Sequence, residues 1–154
     1  MGINKIKKRA GIESDKKLTI KYAEFEKLIS ELNKKKIPLE IINSINENIE
    51  EINSFSGSNK DLLKILKKKQ SKILKLIETR LKLVTKNHYR KIGLAVGISG
   101  IGVPFGVSFG ISSGNMALMG IGIPIGMAIG IAVGTLKDKK AKENEKQLYI
   151  KINH

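Results

Sequence analysis

The chain has 154 residues, 29 basic against 14 acidic, for a net charge of +15. Its mean hydropathy is −0.13, but that average conceals a run of 45 residues, 92–136, without a single Asp, Glu, Lys, Arg or His. Such a run is rare in a soluble domain of this size and argues against an ordinary globular enzyme. With no cysteine, disulfides, thiolate metal sites, thiol catalysis and a lipoprotein anchor are all excluded.

The two histidines, His88 and His154, lie far apart with no clustered carboxylates, so the sequence predicts no catalytic residue, no metal site and no cofactor. The N-terminal segment is basic but has no apolar core behind it, unlike a secretory signal. Gly2 is a poor myristoylation site, because Ile6 stands where Ser or Thr is wanted.

In chain order, residues 1–16 read as a disordered basic tail. Ser14 and Asp15 then offer N-caps for a helix over about 17–33, on which Leu18, Tyr22, Phe25, Ile29 and Leu32 form one apolar stripe. Pro38 ends that helix and suits the first turn of a second, with a seam of Ile42, Ile45, Ile49 and Ile52. Residues 17–55 are therefore expected as an antiparallel helical hairpin, or as half of a coiled-coil assembly. Ser58 with Asp61 forms a capping box that opens a third helix, and no breaker occurs between Lys60 and Lys91. The sequence thus predicts one long basic helix running on into the apolar window, and a soluble arm over 17–91.

Residues 60–91 hold 12 bases and two acids. Anionic lipid, a solvated coiled-coil face and nucleic acid compete as explanations. Lipid is favoured, because nucleic-acid readers interleave aromatics and only Tyr89 is available here.

Twelve of the 15 glycines lie in the apolar window, most of them four residues apart: Gly93 and Gly97; Gly102, Gly106, Gly110 and Gly114; Gly122, Gly126, Gly130 and Gly134. Such glycines share a helix face and let backbones approach, as in small-xxx-small membrane packing. The window also repeats after 20 residues, with Gly-Ile-Gly-Val-Pro-Phe-Gly at 100–106 answered by Gly-Ile-Gly-Ile-Pro-Ile-Gly at 120–126. Twenty helical residues make one bilayer crossing. The polar cluster Ser112-Ser113-Gly114-Asn115 marks the turn, which puts the spans at about 92–111 and 116–136, with kinks at Pro104 and Pro124.

A dinucleotide-binding loop is the weaker reading of these glycines, since that motif needs a preceding strand and a free helix N-terminus, whereas here a proline interrupts each copy and the motif occurs twice. A soluble hairpin buried by partners is the more serious alternative. Lysines flank both spans and the tip has none, so the positive-inside rule puts both termini on the cytoplasmic side. Lys82, Lys86, Arg90, Lys91, Lys137, Lys139 and Lys140 are the expected headgroup contacts, and 137–154 reads as a basic C-terminal tail.

The string Gly-Ile-Pro-Ile-Gly-Met-Ala-Ile-Gly at 122–130, followed by Asp138-Lys139-Lys140-Ala141 and Gln147-Leu148, resembles a family of small bacterial glycine-zipper membrane proteins over about residues 88–150. That resemblance implies a membrane-embedded hairpin and no known enzyme activity. More loosely, a glycine-rich hairpin behind basic helices is similar to the hydrophobic hairpin of pore-forming bacterial toxins.

The expected fold is all-α: a helical-hairpin or coiled-coil arm, a long basic helix and a glycine-zipper transmembrane hairpin. The expected function is a membrane-inserting protein of the bacterial cytoplasmic membrane. It would self-associate through its glycine faces as a homo-oligomer and offer residues 17–91 to a protein partner, with no small-molecule substrate. The alternative is a permeabilising effector, soluble before it inserts into a target-cell membrane.

Overall fold

The computed structural model describes residues 2–9 and 11–152. The fold is all-α, with six helices and one pair of two-residue strands among the described residues. It divides into two units: residues up to Thr85 together with those from Leu148, and Lys86–Gln147.

The first unit is built on α1 (Lys16–Asn33), α2 (Leu39–Asn53) and α3 (Asn59–Leu81). Asp15 caps α1, its Oδ1 accepting from the backbone N–H groups of Lys17 and Leu18 at 3.0 and 3.1 Å. Pro38 precedes α2, and its carbonyl accepts from Ile41 and Ile42. Ser58 Oγ accepts from Asp61 N–H and donates to Asp61 Oδ2 at 2.6 Å, which opens α3. The stripe Leu18, Tyr22, Phe25, Ile29, Leu32 is buried, as are Ile41, Ile45, Ile49 and Ile52 of α2. Both seams find a partner inside the chain, for α1 and α2 each pack on α3 through its Leu62, Leu66, Ile73 and Ile77 face. The unit is thus a three-helix bundle, which α3 completes.

Three expectations need correction. The N-terminal segment is bound along the bundle: Ile3, Ile6 and Ile12 are buried in the core. Two asparagines two turns apart on α2 hold its backbone. Asn46 accepts from Asn4 N–H and donates to Gly2 O, while Asn53 accepts from Lys7 N–H and donates to Lys5 O. At the other end of the sequence, the expected tail also belongs to the core. Leu148, Ile150 and Ile152 are buried, and Tyr149 N–H donates to Glu31 Oε2 at 3.0 Å.

The third correction concerns the long basic helix. α3 stops at Leu81, Lys82 adopts a left-handed conformation (φ 57°), and strand β1 (Val84–Thr85) pairs with β2 (Gln147–Leu148). Helix resumes only at His88, after a second left-handed residue, Asn87 (φ 62°). The break has a tertiary cause. Leu83 and Val84 are buried, and a continuing helix would carry both away from the sites they fill.

The second unit holds α4 (His88–Val96), α5 (Val103–Ser112) and α6 (Gly122–Glu143). A wide, π-helical stretch (Gly97–Gly102) joins α4 to α5, and a tight 3-10 stretch (Met116–Ile121) leads into α6. The result is two continuous helices, His88–Ser112 and Met116–Glu143, each long and apolar enough to cross a membrane.

Candidate membrane hairpin

Within residues 92–136 every buried residue is a glycine: Gly97, Gly102, Gly106, Gly110, Gly122, Gly126, Gly130 and Gly134. They meet backbone to backbone across the antiparallel pair. A Cβ built at Gly93 would run into the carbonyl of Gly130, one at Gly97 into Gly126, and one at Gly126 into Gly97. At Gly102 it would stand 2.8 Å from the Gly122 carbonyl oxygen. At Gly106 it would strike the Met119 carbonyl, and at Gly110 the Met119 side chain. No side chain can rotate away from a backbone carbonyl, so this interface admits glycine alone over most of its length. The rows expected to join separate chains are therefore occupied by one another within one chain.

Gly114 departs from the expected role. It has open space around it and φ 62°. It closes α5 as the left-handed residue of a Schellman turn: Gly114 N–H donates to Ile111 O and Asn115 N–H to Gly110 O, both at 3.1 Å. Asn115 Oδ1 then accepts from Ala117 N–H at 3.0 Å, starting the second helix. The turn thus lies at the predicted polar cluster.

Pro104 and Pro124 both face outward, but the backbone around them differs. Pro104 follows the π-helical stretch in the first turn of α5. Its missing N–H and its ring would otherwise disturb the Gly100 carbonyl one turn back, and a wider turn relieves both. Pro124 lies in the first turn of α6, after the 3-10 stretch.

With glycine inside, the bulky residues are outside. Ile92, Val96, Ile101, Val103, Phe105, Phe109, Ile111, Met116, Ile121, Ile123, Ile125, Ile129, Val133 and Leu136 are all exposed, Ile111 at 64% and Leu136 at 65%. A water-soluble helical hairpin puts such side chains inward; this one is inverted.

The base of the hairpin carries a residue whose role the sequence reading missed. Asp138, 6% exposed, accepts from Tyr89 N–H through Oδ1 at 3.1 Å and from Arg90 N–H through Oδ2 at 2.9 Å. Asn87, at the start of α4, provides no side-chain cap, so the carboxylate of the opposite helix caps α4. Gly134 makes room, since a Cβ there would strike the Tyr89 carbonyl. Lys86, Arg90, Lys91, Lys137, Lys139 and Lys140 are all exposed and flank this base. Lys82, also exposed, belongs to the bundle unit. Among the described residues no group of His, Cys, Asp and Glu is placed to hold a metal ion.

No protein-family model, no curated protein and no solved structure matches the chain.

Proposed function

We propose that residues 88–143 enter a bilayer as an already packed helical hairpin, and that the protein acts at the bacterial cytoplasmic membrane with the helical bundle on the cytoplasmic side. The observation that carries this reading is the inverted packing, with only glycine buried and large apolar side chains outside over 45 residues. In lipid the exposed Ile, Val, Phe and Met are solvated by acyl chains, and most main-chain groups of the spans are paired within their own helix. The lysines at the base suit phosphate headgroups, while the tip presents only Ser112, Ser113 and Asn115 to the far side.

Self-association belongs to the same proposal but uses a different surface. The outward small residues Gly100, Pro104 and Ser108, repeated as Gly120, Pro124 and Ala128, are exposed and available to a second hairpin. The bundle is the surface for a protein partner.

Delivery as a permeabilising effector is the second reading. It is favoured by the uncharged tip, where only Ser112, Ser113 and Asn115 would have to cross. The first test uses the absence of native cysteine: single cysteines at Lys86, Ser113 and Lys142 are probed with an impermeant thiol reagent. Positions 86 and 142 are expected to label from one side and 113 from the other; labelling of all three from one side would overturn insertion as a hairpin. Dye release from vesicles, beside carbonate extraction from cells, separates the effector from the resident protein.

A further inference from the structure

The two sides of α3 are sharply unlike. Leu62, Leu66, Gln70, Ile73 and Ile77 are buried in the bundle. Lys60, Lys64, Lys67, Lys68, Lys72 and Lys75 are exposed. At 100° per residue these six fall within an arc of roughly 140°, centred opposite the buried side. They cover about 22 Å of helix.

Acids on the arc stand only at its ends. Asp61 pairs with Lys64 at 3.2 Å and is hydrogen-bonded to Ser58, and Glu78 is half-buried one turn from the helix end. Beyond the arc, Glu51 of α2 accepts from Lys69, and Glu24 pairs with Lys21 on α1 at 2.8 Å. Lysines at i, i+3 and i, i+4 repel one another, and a solvated helix face ordinarily intersperses acids among them. Between residues 62 and 77 this face has none. At the edge of the arc toward α1 lies a cavity of about 320 Å³, lined by Lys67, Lys68, Gln70, Ser71 and Leu74 with Lys21 of α1.

We infer that this lysine face of α3 is an electrostatic docking surface for an anionic bilayer, receiving lipid phosphates along its length. The inference rests on the membrane reading above. Two observations favour lipid over nucleic acid. α3 has no aromatic residue on which a base could stack. Its last residue, Leu81, is separated from the first apolar helix at His88 by six residues, so only a short stretch of chain lies between the basic helix and the segment proposed to enter lipid.

The test uses the full chain with vesicles of phosphatidylglycerol or of phosphatidylcholine, at low and high salt. One variant combines Lys64→Gln, Lys67→Gln, Lys68→Gln and Lys75→Gln. A control removes the same charge elsewhere, through Lys7→Gln, Lys17→Gln, Lys27→Gln and Lys36→Gln. Circular dichroism verifies that both remain folded. The face variant is expected to lose about fivefold in affinity for phosphatidylglycerol per lysine removed, with phosphatidylcholine binding unchanged and the control within a few-fold of wild type. Equal losses in both variants, or a wild type indifferent to lipid charge, would overturn the docking surface. So would a DNA duplex that binds more tightly than phosphatidylglycerol and is lost with the same four lysines. Insertion is read separately, as carbonate-resistant association with phosphatidylcholine. Its absence beside intact, salt-sensitive phosphatidylglycerol binding would sink the hairpin reading and leave the docking surface standing.

Discussion

Single glycines divide into two kinds by what surrounds them. Gly126 faces the Gly97 carbonyl, whereas Gly120 has nothing within 4 Å of a built Cβ. Gly126→Leu is therefore expected to force the helices apart at a cost of at least about 1–3 kcal/mol, read as a longer distance between spin labels at Ile92 and Val133. Gly120→Leu should leave that distance unchanged and reduce cross-linking between copies in vesicles. The opposite pattern would assign the buried rows to contacts between chains. Periodicity made the buried rows legible, because residues four apart share a face; it carries no information on whether the facing backbone belongs to the same chain. Asp138 was illegible for a similar reason, since its acceptor role depends on amides 48 and 49 positions away. Two buried polar atoms, Asn48 Oδ1 and Gln70 Nε2, have no hydrogen-bond partner among the described residues. An unsatisfied buried group costs about 1–3 kcal/mol, so Gln70→Leu is expected to raise the urea midpoint of the bundle. A lower midpoint would show that Gln70 is satisfied in solution.

At the level of elements, the caps and turns were readable because their chemistry is local. Asp15, Ser58, Pro38 and the 112–115 cluster all act within a few residues. The break after α3 was not readable, because no Gly or Pro marks it. Lys82 occupies a conformation that normally costs a non-glycine residue about 1–2 kcal/mol, and the burial of Leu83 and Val84 offsets that cost. Lys82→Gly is accordingly expected to stabilise the protein by about 0.5–1 kcal/mol in chemical denaturation. If the helix instead ran on through residue 82 in solution, the same substitution would destabilise it by about 1 kcal/mol. The sign of the change decides between them. The N-terminal and C-terminal segments were misread because they are short and basic or mixed in composition. Their isoleucines become significant only beside the α2 asparagines and Glu31.

For the whole molecule, the bundle depends on pairing the C-terminal segment with α1, and Glu31 makes that joint. Hydrogen bonds from Lys34 and from the backbone N–H of Tyr149 hold its carboxyl below the ordinary glutamate value of 4.5. A group whose pKa is depressed by folding contributes stability above its unfolded pKa and loses it as pH falls through the folded one. The bundle should therefore lose this contribution in acid, beginning near pH 4.5 and continuing below it. Glu31→Gln should flatten that part of the pH profile and cost about 1–2 kcal/mol at neutral pH. An unchanged acid limb in denaturant titrations would place the acid sensitivity elsewhere. The all-α class and the two long apolar helices were legible in the sequence, since composition and period fix them. The interleaving of the two units was not: the bundle takes residues from both ends of the described chain and the hairpin lies between them, an arrangement set by contacts between residues more than a hundred positions apart.

Asp138 also orders events in time. During synthesis the first helix of the hairpin, His88–Ser112, is complete well before Gly122, Gly126, Gly130 and Gly134 exist, and it stays uncapped until residue 138 has been made. Throughout that interval its glycine face lacks the counterpart it packs on and its first turn lacks the Asp138 acceptor. The packed and capped pair can therefore form only once both helices have been made.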